Sequence, residues 1–292
     1  MNKPDVSIIL VSYNTSQLTK NCLDSIFEKT SGVNFDIWVV DNKSSDNSCE
    51  MIKNKFPQVN LIENDKNLGF GSANNVAIKQ AKGKYVFLLN TDTILINNAV
   101  KILFDYMENN PAVGATGGNL YDSQNNNVHS YGHFQTFKAK LVKTFNLGCF
   151  CPKEKIRNAD KGDNKANKLK EVDIIVGANL FIRKSVLDEV GYFDEDFFLY
   201  DEESELQFRI KKAGYKIVIN PESKIYHLEG KSSKNRVISR TYKMESEILF
   251  YKKCYGEKYL GLYKLICCLP NLPRFFSHPL VIGRTFKKIK KI

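Results

Sequence analysis

At 292 residues and 42% hydrophobic composition, the chain can bury one large core or two small ones. Seven cysteines form no C-x-x-C pair, so a disulfide framework is not expected, and no apolar run reaches the ~18 residues of a membrane span. The net charge of +11 is local: residues 134–170 hold ten Lys/Arg against three acids and residues 252–292 ten against one, leaving the rest net negative. That distribution argues against a nucleic-acid coat and for two contacts with something anionic.

Val6 to Tyr13 is rich in β-branched residues and reads as a strand, and Asn14-Thr15-Ser16 then caps a helix with Leu18, Cys22, Leu23, Ile26 and Phe27 at helical spacing. Phe35 to Val40 predicts a second strand, closed by Asp41-Asn42. Asp46 caps a helix that Pro57 stops, and Val59 to Ile62 is a third strand. Asn67-Leu68-Gly69-Phe70-Gly71 is a glycine loop opening a helix to Ala81. Tyr85 to Leu89 is an unbroken apolar run, short enough for a strand buried on both faces, and it ends at Asn90-Thr91-Asp92. Strands alternating with helices in this way predict βαβ units and a mainly parallel sheet.

A helix over Asn97 to Glu108 and a strand over Val113 to Thr116 come next. Residues 121–170 lose periodicity and read as a mobile insertion. Its Cys149-Phe150-Cys151 lacks the second ligand pair that a metal site needs. Val172 to Ile182 predicts one strand kinked at Gly177, followed by a short helix, Ser185 to Val190. Asp201-Glu202-Glu203-Ser204-Glu205 opens a helix to Ala213, where the dipole alone favours acids. Lys216 to Ile219 and Lys224 to His227 read as two short strands around Pro221, and Asn235 to Tyr255 as a basic amphipathic helix.

A carboxylate and an amide oxygen at the end of a buried strand suit a hard cation, Mg²⁺ or Mn²⁺, working with substrate phosphates. The competing reading is a turn with Asp92 as helix cap. Taken in order, Val6 to Asn14, Val39-Val40-Asp41-Asn42, Asn67 to Phe70, Asn90-Thr91-Asp92, Gly177 to Arg183, Gly191 to Phe198, Glu202-Glu203 and His227 resemble glycosyltransferase family 2, in particular its bacterial rhamnosyltransferase-like members.

The resemblance spans about Val6 to Tyr255. It implies the nucleotide-diphosphosugar transferase (GT-A) fold, a metal-dependent nucleotide-sugar donor and inversion at the anomeric carbon. Ser12, Tyr13, Asn14, Asp41, Asn67, Gly69, Asn74, Asn90 and Thr91 would then face the donor, with Gly69 and Gly71 letting backbone approach it. Asp92, Asn90 and His227 would hold the metal. Glu203 would be the base, Glu202 would orient the acceptor, and Asp201 is a rival base. Glu205 reads as a solvated or dipole-facing charge, and His129 and His133 receive no role. Two positions depart from the family's pattern. Asn90 replaces an aspartate, which weakens a metal site by one charge, and Glu203 replaces an aspartate, which lengthens the base by one methylene.

The organisation expected is a catalytic domain over 1–251, made of a donor half (1–118) and an acceptor half (119–251), with an insertion at 134–170 acting as a lid or an acceptor loop. Residues 252–292 would form a basic segment resting on an anionic membrane, because Tyr259 to Leu269, Arg274, Phe275, Phe276 and Lys287, Lys288, Lys290 and Lys291 mix apolar and cationic groups; the competing reading is a helix pair packed on the catalytic domain with a solvated basic end. The donor expected is dTDP-rhamnose or a UDP-hexose, the acceptor a lipid-linked saccharide of a surface polysaccharide, and the location cytoplasmic, peripheral on the inner face of the cell membrane. A sugar nucleotidyltransferase is the alternative, but no Gly-rich, Arg/Lys-bearing loop follows the first strand. A nucleic-acid-binding module is the third, and it lacks interleaved stacking aromatics.

Overall fold

The computed structural model describes residues 3–145, 166–228 and 236–271, together with 289 and 292. Within them, β1 (Val6–Ser12), β2 (Phe35–Asp41), β3 (Asn60–Glu63) and β4 (Tyr85–Leu89) alternate with α1 (Ser16–Lys29), α2 (Ser48–Lys55) and α3 (Phe70–Ile78). β5 (Thr93–Leu95), α4 (Ala99–Glu108), β6 (Val113–Tyr121), β7 (Tyr131–Gly132) and α5 (Phe137–Thr144) follow. The chain continues through β8 (Lys170–Glu171), β9 (Ile174–Ile175), β10 (Asn179–Arg183), α6 (Lys184–Val190), α7 (Glu202–Lys212), β11 (Lys216–His227), α8 (Arg236–Tyr255) and α9 (Leu260–Cys268).

The main sheet runs β3-β2-β1-β4-β10-β6-β11-β5, with β8 added on β11. β1 to β4 pair in parallel, β10 is antiparallel to both its neighbours, and β5 runs antiparallel to β11. This is the mixed, mostly parallel sheet flanked by helices that the βαβ pattern predicts. Alternation along each strand divides the core. Ile8, Leu10, Phe87 and Phe181 pack with α1 and α4, while Ile9, Val86, Leu88 and Ile182 pack with α3, α6 and α7. Both sides are apolar, which is why these strands read as continuous hydrophobic runs.

Three elements differ from expectation. The strand expected from Val172 to Ile182 breaks around Gly177 into β9, which leaves the sheet to pair with β7, and β10, which stays. The two strands expected around Pro221 are one strand, β11. Its register against β6 jumps between Asn220 and Lys224, so the residues between, including a proline that cannot donate to the ladder, bulge out. The short strand β5 was hidden in a stretch too brief to show alternation.

The insertion at 134–170 contributes α5 and the start of β8; its residues 146–165, including Cys149 and Cys151, lie outside the described residues, as do Arg274 to Phe276 and Lys287, Lys288, Lys290 and Lys291. The five described cysteines are free thiols. The boundary drawn at Lys252 falls inside α8, and α9 packs on α8 and α5 through Met244, Ile248, Tyr251, Tyr263 and Cys267.

Candidate active site

β1 leads to β2 on one side and its other neighbour is β4, so the strand order reverses at β1. Open α/β sheets bind ligands at such a switch point, beyond the carboxyl ends of the strands. Ser12, Asp41 and Asn90-Thr91-Asp92 all sit there, Ser12 in register with Asp41.

Asp41 is 2% exposed. Its Oδ2 accepts the Ser44 N–H at 2.8 Å, and its buried Oδ1 has no hydrogen-bond partner. A buried acceptor with an open lone pair costs stability until a ligand donates to it. Other expected donor ligands are engaged by the protein itself. Asn14 takes a left-handed conformation (φ 55°), and its Oδ1 accepts the Ser45 N–H at 2.7 Å. Asn67 Oδ1 accepts the Gly69 N–H at 2.9 Å and an Asn42 Nδ2–H at 3.0 Å, and Asn74 donates to the Phe70 carbonyl within α3. These contacts make the three asparagines shapers of the site's loops. Ser12 belongs to a buried hydroxyl cluster with Thr15, Thr19 and Thr91, whose links are 3.2–3.3 Å, while Tyr13 is exposed.

The reason for Gly69 also differs from expectation. A Cβ on Gly69 would stand 2.2 Å from the Phe198 carbonyl oxygen, and its φ is +83°. That carbonyl accepts the Phe70 N–H at 3.0 Å. The close approach that glycine permits is therefore to the segment before α7. Gly71 likewise faces Phe193 and Glu202.

At the end of β4 the Asn90 carbonyl accepts both the Thr93 N–H (3.2 Å) and the Thr93 hydroxyl (2.7 Å), closing a tight turn into β5. β5 pairs with β11 so that Thr93 faces His227. This antiparallel pairing brings the His227 Nε2 within 3.4 Å of the Asp92 Oδ1, both residues being buried. One carboxylate and one imidazole side by side fit two ligands of a divalent cation, Mn²⁺ better than Mg²⁺, which prefers oxygen alone. Among the described residues no third His, Cys, Asp or Glu joins them, so such an ion would take its other ligands from the substrate, water or Asn90.

At the entry to α7, Tyr200 and Asp201 are consecutive left-handed residues (φ 71° and 62°), a strained entry of the kind found at functional sites. Glu202 is 3% exposed, and its Oε2 has no partner. Burial, then the neighbouring carboxyls of Glu203 and Asp201, raises its pKa well above the ordinary glutamate value. Burial also raises Glu203, against the opposing pull of backbone N–H donors, including that of Gly177, and of the Lys243 ammonium. Glu203 and Asp201 border a cavity of about 320 Å³ with His129, Gln135, Tyr200, Lys243 and Phe250. His129, given no role from sequence, thus faces the same space as Glu203. His133 pairs instead with Asp173 at 3.0 Å.

Of the two readings of Glu205, solvated or dipole-facing, only the second fits, since it lies in the first turn of α7 and is not solvated. It is buried, and both its oxygens accept from Arg209, at 2.8 Å from Nε and 2.8 Å from Nη2. Arg209 also donates to the carbonyls of Val190, Gly191 and Tyr192, closing the end of α6.

Three residues escaped the sequence reading. Asn42 donates to Asn67 and Gly69 and accepts from Asn64 and Leu68. Asn75 clamps the Phe193 backbone through both its N–H and its carbonyl. Gln207 does the same to Ile175, which sets Gly177 beside Glu203. For the last two the available signal was an amide on the apolar face of an amphipathic helix, a placement that requires a partner.

The profile of Glycosyl transferase family 2 matches residues 7–191, more than half of the chain. The chain belongs to that family. An uncharacterized glycosyltransferase of Methanocaldococcus jannaschii is 31% identical over 150 residues, 50% of this chain and 52% of that protein. The poly-β-1,6-N-acetyl-D-glucosamine synthase of Staphylococcus aureus is 27% identical over 236 residues, 75% of this chain and 50% of that protein. The chain therefore spans about half the length of these relatives.

Among solved structures, GalNAc-T7 with UDP, GalNAc and Mn²⁺ superposes with a TM-score of 0.62 at 14% identity, covering 86% of this chain and 48% of that one. A Pyrobaculum calidifontis mannosyltransferase with GDP-Man and Mn²⁺ gives a TM-score of 0.58 at 16% identity, covering 95% of this chain and 76% of that one. These likenesses establish the GT-A-like fold of this glycosyltransferase family member, with helices added at its C-terminal side. The narrower likeness to rhamnosyltransferases finds no support among them.

Proposed function

We propose that the protein transfers a sugar from a nucleotide diphosphosugar to a saccharide acceptor with inversion, and that Glu203 is the base. The observation that carries this reading is the buried Asp92–His227 pair at the end of β4, a carboxylate and an imidazole suited to hold an ion that neutralises a leaving diphosphate. A divalent ion held there would supply that neutralisation. Asp41, with its open buried oxygen, takes an N–H or hydroxyl of the nucleoside. In the cavity beside α7, Glu203 accepts the proton of the acceptor hydroxyl while that oxygen bonds to the anomeric carbon. The bond from the anomeric carbon to the diphosphate oxygen breaks on the opposite side, and the nucleoside diphosphate departs.

A UDP-hexose is the favoured donor, since the GalNAc-T7 structure holds UDP and the staphylococcal relatives are named for an N-acetylglucosamine polymer. A lipid-linked saccharide of a surface polysaccharide is the favoured acceptor. The test is a panel of UDP-, dTDP- and GDP-sugars with Mn²⁺, read as thermal stabilisation and as nucleoside diphosphate released. One sugar nucleotide that both stabilises the protein and yields its diphosphate supports the reading. Pyrophosphate release would instead identify a nucleotidyltransferase, and no stabilisation by any donor would defeat both.

A further inference from the structure

One helix face takes no part in the site or in the core. α9 is held from one side only. The Tyr263 ring stacks on Tyr251 of α8 at 4.0 Å between centroids. The Tyr263 hydroxyl donates to Glu247 at 3.1 Å, and Glu247 pairs with Lys140 of α5 at 2.5 Å, both largely buried. With Leu260, Ile266 and Cys267 also buried, the rotation of the helix is fixed. On its other side Leu262 and Leu265 are 48% and 56% exposed, and Tyr259, just before the helix, is 50% exposed while its ring also meets Phe137 of α5 at 5.6 Å between centroids. Their three-residue spacing puts them in one apolar stripe. Lys258 lies over the Tyr259 ring at 5.4 Å and Lys264 falls between the two leucines in the chain, while Lys252 pairs with Glu257 and Lys253 with Asp194 and Asp196.

We infer that this stripe is a docking surface for an anionic lipid bilayer, with α9 lying in the plane of the interface. Exposed leucines flanked by lysines match that boundary, where apolar side chains enter the acyl region and ammonium groups meet anionic headgroups. The helix is too short to cross, and no described helix is long and apolar enough to do so. A second copy of the chain fits the stripe less well. Three half-exposed side chains fall far short of the roughly 800 Å² per partner of a stable interface. Pairing two such segments would also set like charges together. Docking has a consequence for the site: α9 packs on α8, which contributes Lys243 and Phe250 to the cavity of Glu203. The inference goes beyond the transferase reading and does not depend on it.

The experiment is co-sedimentation of the full chain with vesicles of phosphatidylcholine alone and of phosphatidylcholine with phosphatidylglycerol. The variants are Leu262→Glu with Leu265→Glu and, should that pair lower the melting temperature, Leu262→Ser with Leu265→Ser. The wild type should bind the anionic vesicles only, less at high salt, and the variant should lose binding on the order of tenfold. Nucleotide release from a soluble donor should be unchanged in both, which separates this test from that of the catalytic reading. No binding by the wild type, equal binding to neutral vesicles, or full binding by a folded variant would overturn it. So would a wild-type dimer, seen by sedimentation velocity, that the variant dissolves.

Discussion

Replacing Glu205 with Gln tests whether the acids of α7 divide into structural and chemical groups. Glu205 and Arg209 are 7% and 26% exposed, and the guanidinium spans from the carboxylate to three carbonyls at the end of α6. Removing one partner of a buried ion pair costs about 3–5 kcal/mol. Gln keeps one acceptor oxygen, Arg209 keeps its carbonyls, and its partial exposure screens the residual charge. The cost is therefore about 2 kcal/mol, which for a chain of this size lowers the melting temperature by roughly 3 °C. Differential scanning calorimetry measures this directly, and activity assayed well below the transition should stay within about twofold of wild type. An unchanged melting temperature would refute the structural role. Lost turnover in a protein of unchanged stability would place the base at Glu205.

Glu202→Gln should act in the opposite direction on stability. Burial and two neighbouring carboxyls raise the Glu202 pKa, so the folded state holds its proton more tightly than the unfolded state. Stability must then fall as pH climbs from the ordinary glutamate range through the raised value. Melting curves at about pH 5 and about pH 8 should show a smaller fall for the variant than for wild type, and a fall of the same size would exclude Glu202 as its source. Gly69→Ala forces a Cβ to 2.2 Å from the Phe198 carbonyl. It should cost about 1–3 kcal/mol in denaturant titration and raise the donor KM, because the loop and the segment before α7 must part. A variant as stable as wild type would mean that the two do not pack as described. Asp92→Ala should remain folded but lose Mn²⁺-dependent stabilisation by donor, and calorimetry giving wild-type donor and Mn²⁺ affinities would remove Asp92 from the site.

The parallel half of the sheet was legible because its strands are buried on both faces and announce themselves as apolar runs between helices of clear period. The remaining strands were less so. β5, β7 and β9 are two or three residues long, too short for any pattern, and the bulge in β11 disguised one strand as two. What was legible was where Asp41 and Asp92 sit, at or just past strand ends, and the Asp92–His227 proximity matches a role expected to be shared, without the pairing that produces it having been read. What local sequence did not reveal was which amides are occupied. Asn14, Asn67 and Asn74 look like ligands in a linear reading, and each also holds backbone: Asn14 that of Ser45 in the loop after β2, Asn67 that of Gly69 in its own loop, and Asn74 that of Phe70 in its own helix. Gln207 and Asn75 look incidental and hold the walls in place. The same limit applied to Glu205, whose partner lies one helical turn away and whose burial depends on α6 packing against α7.

The account rests most heavily on Glu203 as the group that takes the acceptor's proton. The decisive measurement is transfer by Glu203→Gln, beside its donor affinity by calorimetry, using the sugar nucleotide found in the donor panel. Donor binding within about twofold of wild type and transfer slower by at least ~10²-fold is the expected pair of results. Transfer at the wild-type rate, or its loss in Asp201→Asn while Glu203→Gln stays active, would contradict it.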